Sequence, residues 1–116
     1  EKYNFDGEQF KPEMKYNVLG TSINYLIENK ILDLPDYIKI DVDGIEHLIL
    51  KGANRHLSNE KIKSIAIETN ENFKEQYEAI LSIMKENGFK ILHKKRNEEM
   101  FSEDRFNKVF NYVFIR

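Results

Sequence analysis

The chain has 116 residues, 41% hydrophobic and 33% charged, which suffices for one compact domain with one core and not for two. Its formal net charge of -2 mixes both signs along the whole length, with no basic stripe interleaved with aromatics, so there is no electrostatic case for nucleic acid. With no cysteine there can be no disulfide framework, thiolate nucleophile or Cys-ligated zinc, and His47, His56 and His93 lack metal-ligand spacing. His47 and His56 read instead as helix-surface residues. No apolar run approaches the roughly 20 residues of a membrane span and no signal peptide opens the chain, so a soluble, cytoplasmic protein without membrane contact is expected.

Residues 1–17 form a polar, weakly patterned lead-in that begins with Glu1 rather than Met, as if cut from something longer. "YNVL" follows as a short strand candidate. Gly20, Thr21 and Ser22 supply turn and cap chemistry for a helix over about 22–31 with Ile23, Leu26 and Ile27 on its apolar face. Pro35 disfavours helical geometry at Leu34, and the chain re-emerges as the strand "YIKIDV", where β-branched residues alternate with Lys39 and Asp41.

Asp43 then stands at an N-cap position, and Glu46 three residues on can reach back to its amide as a carboxylate capping box. Ile45, Leu48, Ile49, Ala53 and Leu57 follow at helical steps as a buried stripe. Gly52 inside that run implies either a close packing contact or an early end to the helix. "KSIAIET" is the next strand, with Ile65 and Ile67 on one face and Ala66 small enough for a helix to approach the other. Strand, helix, strand over 37–68 is a βαβ unit, for which parallel pairing is expected. A second amphipathic helix within 72–89 carries Phe73, Tyr77, Ile80, Leu81 and Met84 on its stripe and Gly88 at its C-terminal cap. Two strands, 89–95 and 109–115, follow, joined by the polar "RNEEMFSEDRFNK" as a long hairpin connection closing one edge. The fold class is α/β with antiparallel closing strands.

The acidic stretch "KIDVDGIE" raises three chemical readings. An EF-hand fails on register: with Gly44 at the sixth position of the loop, the first ligand would be Lys39 and the twelfth Leu50, and neither binds calcium. A two-carboxylate glycosidase is conceivable on residue types, but the sequence does not fix the separation of the acids. Topology favours a third: ligands of open α/β sheets bind beyond the carboxyl ends of the strands, and both strands of the βαβ unit finish with an acid, Asp41 and Glu68. Neighbouring strands lie about 4.8 Å apart, so the two carboxylates could face one ligand, with Asn70 and Glu71 on the rim. Such a pair could accept hydrogen bonds from sugar hydroxyls, hold a divalent cation, or let one carboxylate with a raised pKa act as a general base. Equally, both acids could be exposed strand ends or caps.

These residues resemble the FkbM-type S-adenosylmethionine-dependent methyltransferases. "DYIKIDVDGIEHLILKGANRHL" is similar to the family's "IKIDVEGxE", its apolar helix and "LKGA"; "IKSIAIETN" resembles its "ILIEIN" strand, and "ILSIMKENGFKIL" the helix and strand beyond. Upstream, "LGTSINYLI" is similar to "TLDxL", with Asn24 where Asp is usual. The resemblance covers residues 18 to about 95 well and "FNYVFIR" loosely.

The resemblance implies part of a Rossmann-like methyltransferase sheet whose first half is absent, so that residues 1–116 form a single partial domain, the C-terminal half. S-adenosylmethionine would be the cofactor of the intact parent. The family's glycine-rich cofactor loop is missing: Gly7, Gly20, Gly44, Gly52 and Gly88 are all isolated, and no G-x-G follows a strand. Cofactor contacts therefore remain unassigned, no metal is invoked, and the chain alone is expected to be inactive. The resemblance implies Asp41 as the residue that orients the acceptor or acts as base, with Glu68 beside it and Asn70 and Asp43 on the substrate side. The implied acceptor is a hydroxyl of a sugar or other small molecule. A dimer or a missing N-terminal half would cover the open sheet edge. The alternative is a stand-alone, non-catalytic interaction or carbohydrate-binding domain derived from that fold.

Overall fold

The computed structural model describes residues 4, 8, 9, 11–96 and 108–116. Its elements in chain order are α1 (Ile23–Glu28), β1 (Tyr37–Ile40), α2 (Glu46–Lys51), β2 (Ser64–Asn70), α3 (Lys74–Glu86), β3 (Lys90–Lys95) and β4 (Val109–Ile115). The fold is mixed α/β, with one four-stranded sheet in the order β1-β2-β4-β3.

β1 and β2 pair in parallel, Ile38 opposite Ile65 and Ile40 opposite Ile67, as the strand–helix–strand pattern requires. β4 runs antiparallel to both its neighbours. β3 and β4 pair as the expected closing pair at one edge, with β4 as the inner strand between β2 and β3 and β3 as the outer one. The residue types explain this order. "KILHKK" of β3 is exposed at every position, whereas Val109, Tyr112 and Phe114 of β4 are buried, and a lysine-rich strand is suited to an edge that must not recruit another. Residues 97–107, most of the expected hairpin connection, lie outside the described residues.

Ile40, Ile65, Ile67, Tyr112 and Phe114 form one core cluster with Leu50, Ala53, Leu57 and Ile62 from α2 and the turns after it, and with Ile80, Met84 and Phe89 from α3 and its end. The helices that follow the two parallel strands therefore share the Ile65/Ile67 face.

Three boundaries differ from the sequence reading. "YNVL" is not a strand; Tyr16, Val18 and Leu19 are exposed. Helix α1 keeps its Ser22 cap, whose hydroxyl accepts the Tyr25 N–H at 3.2 Å, but stops at Glu28. Lys30 takes φ 57°, and the Ile31 and Lys30 amides donate back to the carbonyls of Leu26 and Ile27, closing the helix with a left-handed residue. Helix α2 begins at Glu46 rather than after Asp43 and ends at Lys51, so Leu57 is buried from a turn and Leu48 points to solvent. Gly52 answers both expectations raised for it. It caps α2, and an added Cβ would stand 3.3 Å from both the Ile49 carbonyl and the Ser22 Cβ. Gly88 acts as predicted, at φ 84° just past α3, with Phe89 N–H donating to Met84 and Gly88 N–H to Lys85.

Candidate functional site

Strand β1 ends at Ile40, and continuing its register one step sets Asp41 opposite Glu68 on β2. Alternation puts Lys39, Asp41 and Glu68 on the sheet face away from the core helices. The Lys39 ammonium donates to Asp41 at 2.5 Å, and this exposed pair holds the lysine above its ordinary pKa, chiefly through that hydrogen bond. Glu68 is half-buried. Burial raises its carboxyl, and the charges of Asp41 and Asp43 raise it further, opposed only by Lys39. The structure thus gathers Asp41, Asp43 and Glu68 into one acidic edge at the carboxyl ends of two adjacent parallel strands, the place where α/β sheets bind ligands.

Asp43 is exposed and is not the cap of α2: that position is Ile45, which makes no side-chain cap bond. The physical reason is Gly44. At φ 98° it takes a left-handed conformation open to glycine and turns the chain between Asp43 and the helix. The predicted capping box therefore does not form. Glu46 instead lies buried at 3% exposure, its Oε1 accepting the Val42 N–H at 3.3 Å and its Oε2 accepting Gln76 Nε2 at 2.5 Å. Burial pushes the Glu46 carboxyl up, while the backbone N–H groups of Glu46, Gly44 and Val42 act the other way.

Asn70 is buried at the end of β2, its Oδ1 accepting the Asn72 N–H at 3.0 Å, which shapes the turn into α3. Glu71 does not join the acidic edge. It accepts hydrogen bonds from the Tyr112 hydroxyl at 2.5 Å and from Lys94. Burial alone would raise Glu71, but those two hydrogen bonds and the charges of Lys94 and Lys108 carry it below the usual carboxylate range. Tyr112, buried and facing that carboxylate, is pushed above the ordinary tyrosine value.

His47 is not a surface residue. It is 9% exposed in the first turn of α2, edge-on to the Phe73 ring with centroids 6.1 Å apart, and burial and Lys51 lower its pKa. His56 is half-buried, with Nε2 3.4 Å from Glu28. What composition and spacing missed is thus Gln76 and the buried places of Glu46 and His47; Phe73, expected on the stripe of the second helix, stands at the N-cap of α3. Gln76 was open to detection, because it stands one turn before Ile80 and two before Met84 on the buried stripe of α3.

Among the described residues no group of three or more His, Cys, Asp or Glu is arranged to hold a metal ion, and no helix is long and apolar enough to cross a membrane. Upstream, Asn24 is buried and structural: its amide donates to Asn54 Oδ1 at 2.8 Å, and its own Oδ1 accepts the Arg55 N–H.

No curated protein and no solved structure matches the chain. The family profile of the methyltransferase FkbM domain matches residues 6–91, a span that includes β1, β2, α2, α3 and the whole acidic edge. It reaches further toward the N-terminus than the resemblance in the motifs themselves, and it stops short of β4. With most of its length in that match, the chain belongs to the methyltransferase FkbM domain family.

Proposed function

We propose that the acidic edge is the acceptor side of a methyl-transfer site, in which Asp41 and Glu68 face a hydroxyl group of a sugar or other small molecule, and S-adenosylmethionine is the methyl donor. The observation that carries this reading is the convergence of Asp41, Asp43 and Glu68 at the ends of β1 and β2 in a chain of a methyltransferase family.

The residues present do not fit the donor. A sulfonium nucleoside needs a close backbone approach of the kind a glycine-rich turn after a strand provides, and the five glycines are scattered singly. No step is therefore assigned to donor-binding groups of this chain, and in this reading they lie outside the sequence, on a sheet of Rossmann-like type that extends from β1.

On the acceptor side the chemistry is that of hydroxyl recognition and one proton. A carboxylate at Asp41 accepts the hydrogen bond of the incoming hydroxyl and fixes its direction. In a methyl transfer the acceptor oxygen would shed its proton, the electron pair of the broken S–CH3 bond staying with the donor sulfur; Glu68 is suited to take that proton, because a carboxyl raised by burial and by two neighbouring acids binds a proton more firmly than a free one. Asp43 and Asn70 border this edge as substrate-side contacts, Asn70 through the turn it shapes.

The test is methyl transfer from methyl-labelled S-adenosylmethionine to a panel of sugar and small-molecule hydroxyls by protein carrying this domain. Labelled ether product that disappears in Glu68→Gln is expected. Sugar binding that needs no methyl donor, with no product for any acceptor, would replace the reading with a carbohydrate-binding one.

A further inference from the structure

Of the acids of the candidate site, Glu68 is held within β2, opposite Asn111 of β4, whereas Asp41 and Asp43 stand on the loop 41–45 after β1, which is outside any helix or strand. Two contacts tie this loop and the start of α2 to α3 and the residue that leads into it. The buried Glu46 carboxylate takes the Val42 N–H, which lies between Asp41 and Asp43, and at the same time takes the side-chain amide of Gln76, itself 1% exposed in the first turns of α3. Beside it, His47 packs edge-on against Phe73, the residue that leads into α3.

A buried carboxylate bonded to a neutral amide is an expensive way to stabilise a fold, since desolvation is only partly offset. Two apolar side chains would pack the same space at lower cost. What an apolar pair cannot do is hold the backbone N–H of Val42 in place. With Gly44 at φ 98° fixing the turn on the other side, the carboxylate determines where the two acids flanking Val42 project.

We propose that Glu46 and Gln76 are positioning residues: together they set the distance between the Asp41/Asp43 loop and Glu68, and through it the geometry of acceptor recognition. This rests on the acceptor-side reading above, but its physical content does not, because the spacing of the acids is measurable without any reaction.

The measurement is the titration of Glu68 followed by carboxyl carbon NMR in the folded chain, in parent, Gln76→Ala and the exchanged pair Glu46→Gln/Gln76→Glu. Glu68 is faced by Asp41 and Asp43, which raise it, by Lys39, which lowers it, and by Glu46, whose own carboxyl the Glu68 charge raises. Lys39 lies within β1 and stays when the loop moves. Letting two like charges recede by about 2 Å from about 6 Å at an effective dielectric near 20 lowers the Glu68 midpoint by about 0.5 pH unit for each. The expected result is a fall of at least about 0.5 pH unit in Gln76→Ala. In the exchanged pair the amide moved to position 46 can still accept the Val42 N–H through its oxygen and donate through its nitrogen to the carboxylate moved to position 76. Because the exchange also moves the Glu46 charge to position 76, the geometric recovery is read as a return by at least about half of the fall seen in Gln76→Ala.

A folded Gln76→Ala with the parent midpoint would overturn the proposal, because a merely structural pair leaves the acids where they were. If Gln76→Ala does not fold, Gln76→Leu, which fills the same space but donates nothing to Glu46, decides in its place: a midpoint lower by about 0.5 pH unit supports positioning, and the parent midpoint refutes it. Should Glu68→Gln leave methyl transfer untouched, the acceptor-side reading fails while the titration still decides the clasp.

Discussion

Arg116 fastens the end of the sheet opposite the acidic edge, and its removal has a calculable cost. Its Nε donates to the Ile62 carbonyl at 2.8 Å, Nη1 to Asn87 at 2.8 Å, and Nη2 to Leu57 at 2.5 Å and Asn59 at 2.9 Å. The guanidinium also lies 4.2 Å from the Phe89 ring centroid. One side chain thus satisfies the irregular turns between α2 and β2, where Leu57 and Ile62 are fully buried, and the carbonyl end of α3. A hydrogen bond from a charged donor contributes about 1.5 kcal/mol net, and water recovers roughly half of that at carbonyls that become accessible, so Arg116→Ala should cost about 3 kcal/mol. That is a large share of the roughly 5–15 kcal/mol expected for a domain. With a slope near 1.5 kcal/mol per molar urea, the unfolding midpoint followed by far-ultraviolet circular dichroism falls by about 2 M. Arg116→Lys keeps the charge but cannot span carbonyls from Leu57 to Asn87, and should lose about 2 kcal/mol. A loss below about 1 kcal/mol in the alanine variant would refute the reasoning, because it would mean that water replaces the clasp freely.

Other perturbations separate stability from site geometry. Lys30→Gly relieves a left-handed residue at the end of α1 and should raise stability by about 1 kcal/mol, read by thermal unfolding; no change would place the strain elsewhere. Gly44→Ala forces a side chain into φ 98° and should cost about 1–2 kcal/mol while also lowering the Glu68 midpoint, because the loop must rotate; stability lost without the titration change would uncouple the two. Stability against pH should show two opposing contributions. Glu46 and Glu68 are raised on folding, so what they contribute is present below the ordinary carboxylate value and is lost as pH rises through their folded midpoints. Glu71 is lowered, so its contribution is present above the ordinary value and is lost as pH falls through its folded midpoint. Glu46→Gln should therefore flatten the loss on the alkaline side and leave the acid limb unchanged, whereas Glu71→Gln should flatten the acid limb. Identical profiles in either variant would contradict the assignments.

The parallel βαβ unit was legible because "YIKI" and "SIAIE" alternate cleanly and the stretch between them has helical apolar spacing, so period and length together left one arrangement. The pairing of Asp41 with Glu68 followed from that topology alone. The closing pair of strands was legible, but which of the two lies inside was written only in the contrast between "VFNYVFI" and "KILHKK", an apolar strand beside a cationic one, and chain order concealed it. The role of Glu46 was hidden for a different reason. A carboxylate three residues after Asp43 satisfies the spacing of a capping box, and only the positive φ of Gly44, which sequence does not state, turns it inward to Gln76. His47 was misplaced for the same cause: shifting the start of α2 rotates which positions face α3.

Whether the acidic edge acts on the acceptor or merely ends two strands is decided by Asp41→Asn. Its partner Lys39 is exposed, so the substitution removes a surface ion pair of little weight for the fold. In protein active for methyl transfer, turnover should fall by about 100-fold or more with the thermal midpoint nearly unchanged. Turnover that survives, or that falls only in step with the folded fraction, would contradict a role on the acceptor.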